Sequence, residues 1–123
     1  MAKKILIIDD DATIRYTLKQ ILTRLGYHVS EAEDGDLGLA SVKEKNPDLV
    51  ITDIIMPNKD GIQFIMELKK INRYIPIIAM SGGRRAVSAN FNLGSAELLG
   101  AKAVLTKPFT IEEIKEALQK AGL

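Results

Sequence analysis

The chain has no cysteine and no tryptophan, a single histidine, and only 5% aromatic residues. Without cysteine there is no disulfide framework, no thiolate zinc site and no thiol chemistry; the composition suits a reducing compartment, and a cytoplasmic location is the expectation. Charge of one sign is equally scarce, since seventeen basic residues stand against sixteen acidic ones and leave a net charge of +1. That balance exerts no long-range pull on a polyanion, so direct nucleic-acid binding has no support. Long apolar runs are missing too. The basic start Met1-Ala2-Lys3-Lys4 looks like the opening of a signal peptide, but the apolar run Ile5-Leu6-Ile7-Ile8 is cut off at once by acid, so neither export nor a membrane span is expected. No glycine-rich turn follows that run, which argues against dinucleotide binding. His28 lies away from the acidic residues and reads as a surface or edge residue, not a ligand or phosphocarrier.

What is present is apolar material in short pieces. At 123 residues and 46% apolar, the chain can bury a proper core as one domain spanning 1–123. It has no repeat or linker, and no output domain is expected. Short β-branched runs recur at Ile5–Ile8, Tyr27–Ala32, Leu49–Thr52, Ile75–Met80 and Ala103–Leu105, each followed by helical spacing. Five βα units of this kind define an α/β fold with a parallel sheet covered by helices on both faces. The first helix, Thr13–Leu25, carries a stripe of Ile14, Leu18, Ile21, Leu22 and Leu25, ends at Gly26, and presents Arg15, Lys19 and Arg24 on its opposite face. The second, Gly35–Lys45, follows Asp34, stops before Asn46-Pro47 and draws part of its apolar face from Ala40 and Val42. Asp60 with Gln63, and Thr110 with Glu113, form capping-box patterns that start the third and fifth helices. The fourth, with Phe91, Ala96, Leu98 and Leu99, follows a basic loop at Gly82–Val87 and has the weakest pattern.

In an open parallel sheet, chemistry gathers beyond the carboxyl ends of the strands. The first run ends in Asp9-Asp10-Asp11, the third in Asp53, the fourth in Ser81 and the fifth in Thr106-Lys107-Pro108. Aspartates this close repel one another unless a cation sits among them. Asp11, just ahead of Ala12-Thr13-Ile14, reads as a helix cap; Asp9 and Asp10 read as metal ligands. Alone, Asp53 would be a turn residue and Lys107 a surface lysine. Placed together at strand ends, the carboxylates, the hydroxyl of Ser81 and the Lys107 ammonium make a kit for phosphoryl transfer. A carboxylate attacking a phosphoryl group meets like charge, which Mg²⁺ and a lysine neutralise.

These residues resemble those of the receiver domain of two-component response regulators, including the single-domain chemotaxis type. The likeness spans nearly the whole chain and rests on Ile7-Ile8-Asp9-Asp10, Asp53-Ile54-Ile55-Met56-Pro57 with Asp60-Gly61, Ser81, Gly100-Ala101 and Lys107-Pro108-Phe109. It implies a flavodoxin-like, doubly wound (βα)5 domain in three layers, α/β/α, with five parallel strands in the order 2-1-3-4-5. It further implies Asp53 as phosphoacceptor, and Mg²⁺ held by Asp9, Asp10, Asp53 and the backbone carbonyl of Ile55. Ser81 and Lys107 are implied as phosphoryl-binding groups, and the Lys107–Pro108 peptide as cis. The implied partners are a sensor histidine kinase or histidine phosphotransfer protein, and a downstream protein that binds the face of the fourth helix, fifth strand and fifth helix. The molecule is then a monomer or a phosphorylation-dependent dimer, and a phosphoacceptor rather than an enzyme.

Two other functions fit parts of the sequence. Asp9-Asp10-Asp11-Ala12-Thr13 fits the D-x-D-x-T start of haloacid-dehalogenase-like Mg²⁺-dependent phosphatases, with Asp9 as nucleophile. Those enzymes need a further downstream acidic pair, whereas the only acids after Lys107 are Glu112, Glu113 and Glu116 on a capped helix. A receiver-like module that binds partners without phosphorylation is the other, and the intact set of Asp9, Asp10, Asp53, Ser81 and Lys107 speaks against decay of the site.

Three positions depart from the family pattern. Val104 stands where relatives usually carry an aromatic residue or histidine that swings inward on phosphorylation, and valine has one stiff χ1 torsion and no polar tip. The signal is therefore expected to travel by rearrangement of the loop after Ser81, the segment from Ser81 to Lys107 being a few residues longer than usual. Ile55 and Gly83, two residues past Asp53 and Ser81, lack the polar side chains that help relatives orient an attacking water. Val104→Tyr is expected to leave partner affinity and its dependence on phosphorylation unchanged in a titration of phosphorylated and unphosphorylated protein; a large gain in that dependence would refute the loop route.

Overall fold

The computed structural model describes residues 2–54, 61–82 and 100–123. Strands β1 (Lys4–Ile8), β2 (His28–Ala32), β3 (Leu49–Asp53), β4 (Ile77–Gly82) and β5 (Ala103–Lys107) form one parallel sheet in the order β2-β1-β3-β4-β5. Helices α1 (Ala12–Arg24), α2 (Gly35–Lys45), α3 (Gly61–Ile71) and a C-terminal helix (Ile111–Lys120) connect or flank them. The expected fourth helix, the loop beyond Gly82 and the cap residue Asp60 lie outside the described residues, as do Ile55, Met56 and Gly83.

Alternation along the strands builds the three layers. Ile5 and Ile7, Leu49 and Ile51, Ile78 and Met80, and Ala103 and Leu105 point to one face, where Leu18 and Leu22 of α1 and Ile114, Ala117 and Leu118 of the C-terminal helix cover them. Leu6 and Ile8, Val50, and Ile77 and Ala79 point to the other, against Val42 of α2 and Phe64, Ile65 and Leu68 of α3. Val104 is partly buried on that second face. His28 is exposed on the edge strand β2, in keeping with the reading of it as an edge residue.

Helix starts follow the sequence signals closely. Asp11 caps α1, its Oδ1 accepting from Thr13 N at 2.8 Å and Ile14 N at 3.4 Å. Asp34 caps α2, and Thr110 and Glu113 complete a capping box on the C-terminal helix. Differences arise where periodicity alone was the guide. Leu25 is 39% exposed because it is the C-cap of α1, beyond its last turn, before Gly26 (φ +98°) turns the chain toward β2. β4 begins at Ile77, after Pro76, which has no N–H for a ladder, and not at Ile75.

Ala40 is exposed, and the buried face of α2 is made by Gly35, Gly38 and Val42. A Cβ on Gly38 would sit 2.5 Å from Ile8 Cδ1 and 3.2 Å from Phe64 Cε1, so the helix backbone itself lies against the sheet. Ile8 and Phe64 are fully buried, so making space for a side chain there displaces packed core atoms. Gly38→Val is expected to lower the unfolding free energy by about 1–3 kcal/mol, read as a lower urea midpoint at constant slope, while Ala40→Val on the exposed face of the same helix shifts it little.

Candidate functional site

Of the sequence-predicted residues that are described, Asp9, Asp10, Asp53, Ser81 and Lys107 lie at the carboxyl edge of the sheet, whereas Val104 is the second residue of β5, opposite Ala79 of β4. Asp9 follows the last residue of β1, Asp53 and Lys107 end β3 and β5, and Ser81 is the penultimate residue of β4. Register places them level with one another: Ile8 pairs with Thr52, Asp53 with Met80, Ser81 with Thr106 and Gly82 with Lys107. The backbone thus delivers the groups to one end without any long loop.

Asp9 and Asp53 are 0% and 3% exposed, a costly situation for carboxylates that lack a cation. The Lys107 ammonium meets both, with Nζ 2.6 Å from Asp9 Oδ2 and 3.3 Å from Asp53 Oδ2. To do so it crosses the end of β4, where Ser81-Gly82 offers little bulk. Asp9 Oδ1 accepts from Asp11 N at 2.9 Å, so the acidic turn closes on itself. Burial by itself pulls the Lys107 ammonium down, but the hydrogen bond to Asp9, the charges of Asp53 and Asp9 and the hydrogen bond to Asp53 outweigh it, and its pKa is raised above the ordinary lysine value. A raised value makes the contribution of this contact to stability complete at neutral pH and lost as pH climbs through it. The Lys107–Pro108 peptide is cis.

One carboxylate oxygen from each of Asp9, Asp10 and Asp53 lies within 4.8 Å of the others. An all-oxygen set of this kind, with two members buried and only one lysine among them, fits a hard divalent cation and not a soft one. Asp11, spent on capping α1, is not part of it. Ser81 is 1% exposed, and its Oγ is the one buried side-chain polar atom among the described residues without a hydrogen-bond partner. Leaving a hydroxyl so placed costs about 1–3 kcal/mol, which a ligand oxygen would recover. Ile55, expected to add a carbonyl, lies outside the described residues.

The sequence reading assigned Arg15 to the outer face of α1. Instead it folds back, with Nη1 donating to the Asp9 carbonyl at 2.6 Å and Nε to Glu31 Oε1 at 3.2 Å. A signal for this was available, since helical side chains lean toward the N-terminus and a long cation one turn inside α1 reaches the turn that precedes it.

A doubly wound sheet whose carboxyl edge gathers buried acid, a lysine and an orphaned hydroxyl defines a class of phosphoryl-handling α/β domain. The comparisons with known proteins narrow that class. A family model described as response regulator receiver domain matches residues 5–119. The chemotaxis protein CheY of Bacillus subtilis is 40% identical over 121 residues, covering 98% of each chain. Sporulation initiation phosphotransferase F of the same organism is 35% identical, over 98% of this chain and 94% of its own length. Among solved structures, the chemotaxis protein CheY4 of Vibrio cholerae superimposes with a TM-score of 0.87 at 27% identity, covering 98% of this chain and 99% of its own. The chain belongs to the response regulator receiver domain family. It is a receiver of two-component signalling, homologous over its length to the single-domain chemotaxis and sporulation regulators.

Because Lys107 holds two buried carboxylates, its loss should be felt without any phosphodonor. Lys107→Met is expected to destabilise the metal-free protein by on the order of 3 kcal/mol in denaturant titrations. Added Mg²⁺ should then stabilise this variant more than the parent, one competing cation having been removed.

Proposed function

We propose that Asp53 accepts a phosphoryl group from a phosphohistidine on a sensor histidine kinase or histidine phosphotransfer protein, and that the resulting aspartyl phosphate switches binding to a downstream protein. The observation that carries this reading is the setting of Asp53: buried at the end of the central strand β3, with a carboxylate oxygen 3.3 Å from Lys107 Nζ and the Asp9 and Asp10 carboxylates close by. One Asp53 oxygen forms the new O–P bond as the N–P bond of the donor breaks, and the departing imidazole keeps the electron pair and takes up a proton. Lys107 offers its charge to the phosphoryl oxygens, and the unpartnered Ser81 Oγ donates to one of them once transfer is complete. Asp9, Asp10, Asp53 and the Ile55 carbonyl would hold Mg²⁺, which would screen the like charges of acceptor and donor.

The same reading covers the output. The switch runs through Ser81 and the loop after it, with Val104 a passive wall, to the face formed by the expected fourth helix, β5 and the C-terminal helix. The receiver acts from the cytoplasm as a monomer or a phosphorylation-dependent dimer. With Ile55 and Gly83 unable to orient water, the acyl phosphate is long-lived in the absence of a partner.

Incubation with acetyl phosphate and Mg²⁺, followed by intact mass and peptide mapping, tests both parts. The expected product is one phosphoryl group on Asp53, absent in Asp53→Asn and decaying over minutes or longer. Label on another residue, or turnover that needs Asp9 and ignores Asp53, overturns the acceptor assignment. Decay within seconds overturns the lifetime.

A further inference from the structure

Arg15 lies on α1, has no role in the site as read so far, and yet is largely buried, with its side chain 16% exposed. Its Nη1 makes one of the shortest polar contacts in the molecule, 2.6 Å to the Asp9 carbonyl. That carbonyl belongs to the peptide joining Asp9 to Asp10, so a charge-assisted bond to it fixes the plane from which the Asp10 side chain departs. The Asp9 residue is then held from four directions. Its N–H donates to the Ala32 carbonyl at 3.2 Å, Oδ1 accepts from Asp11 N, Oδ2 accepts from Lys107, and its carbonyl accepts from Arg15.

The guanidinium is itself aimed. Glu31 Oε1 accepts from Arg15 Nε at 3.2 Å, and Glu31 Oε2 lies 3.5 Å from Lys19 Nζ. Glu31 sits on β2 opposite Ile7 of β1, two residues before Asp9, so the support comes from the neighbouring strand at the same height. Arginine suits this task because its planar fork serves two acceptors in fixed directions, which a lysine ammonium does not.

We infer that Arg15, oriented by Glu31, is a positioning residue for the cation site: it acts through the Asp9 carbonyl to hold the Asp9-Asp10 peptide in the geometry that binds a divalent metal. The inference rests on the reading of Asp9, Asp10 and Asp53 as metal ligands. A guanidinium near an acidic site has two opposed effects. As a nearby positive charge it competes with the metal, and its removal tightens metal binding; as a clamp it organises the ligands, and its removal weakens binding. Supporting partners of ligands typically carry a factor of roughly 10–100 in metal affinity, and the contact here, to a backbone atom 2.6 Å away and next to a ligand, makes the clamp dominant.

Isothermal titration of metal-free protein with MgCl2 alone separates these cases, at a temperature where circular dichroism shows each variant folded. Arg15→Ala is expected to raise the Mg²⁺ dissociation constant by on the order of tenfold. Glu31→Gln keeps an oxygen that can accept from Nε and should stay near the parent, whereas Glu31→Ala should fall between the parent and Arg15→Ala. Amide hydrogen exchange in metal-free protein gives an independent readout: Arg15→Ala should speed exchange at Asp10 and Asp11, and Glu31→Gln should not. Tighter Mg²⁺ binding in Arg15→Ala, or unchanged affinity with lower stability alone, overturns the inference while leaving the metal site intact. If Arg15→Ala does not fold, equal affinities for Glu31→Ala and Glu31→Gln overturn it. Failure of the parent chain to take up Mg²⁺ overturns the reading of the metal site and this inference with it.

Discussion

The ammonium of Lys107, set between the buried carboxylates of Asp9 and Asp53, is the contact on which the functional end of the molecule depends. Two acids with almost no exposure persist in a fold only when a cation is supplied, and this one arrives from β5 across the tip of β4. The contact therefore ties together the ends of β1, β3 and β5, strands that are not all neighbours in the sheet. Two small residues, Ser81 and Gly82, end β4, the strand that lies between β3 and β5 in the sheet. The buried Ser81 hydroxyl, left without a partner, is the complementary defect: a polar group buried at a cost that a ligand oxygen would recover.

Much of this was legible in the sequence because the relevant rules are local. Apolar runs of three to six residues mark the strands, Asp11, Asp34 and Thr110 mark helix starts through side-chain bonds to nearby amides, and the chemistry sits where those runs end. The Lys107 contact with Asp53 followed from fold topology and family likeness together. What escaped is long-range and steric. Ala40 was assigned to the core and Gly38 to nothing, because periodicity counts apolar side chains and cannot register a helix that packs through its bare backbone. Arg15 was assigned to the outer face because a cation in a helical pattern defaults to solvent. Its acceptors, a main-chain carbonyl on the turn ahead and a glutamate on an adjacent strand, leave no mark in the spacing of α1.

Arg15 and Lys107 also show two ways in which positive charge serves an acidic centre. Lys107 enters it, contacts carboxylate oxygens and has its proton affinity raised by them. Arg15 stays behind the acidic turn, donating to its main chain at the Asp9 carbonyl while its Nε is turned to Glu31. A near-neutral chain can thus maintain a concentrated acidic pocket, the compensating charges being placed by geometry and not by composition.

The close approach at Gly38 bears on how motion can spread. Ile8 touches α2 through Gly38, packs in one cluster with Phe64 of α3, and is followed in the chain directly by Asp9. A displacement of β1 at that junction therefore meets the α2 backbone at Gly38 and the Phe64 side chain of α3. The acidic turn is consequently joined to a strand end that bears on bare helix backbone, with no α2 side chain at Gly38 to yield between them.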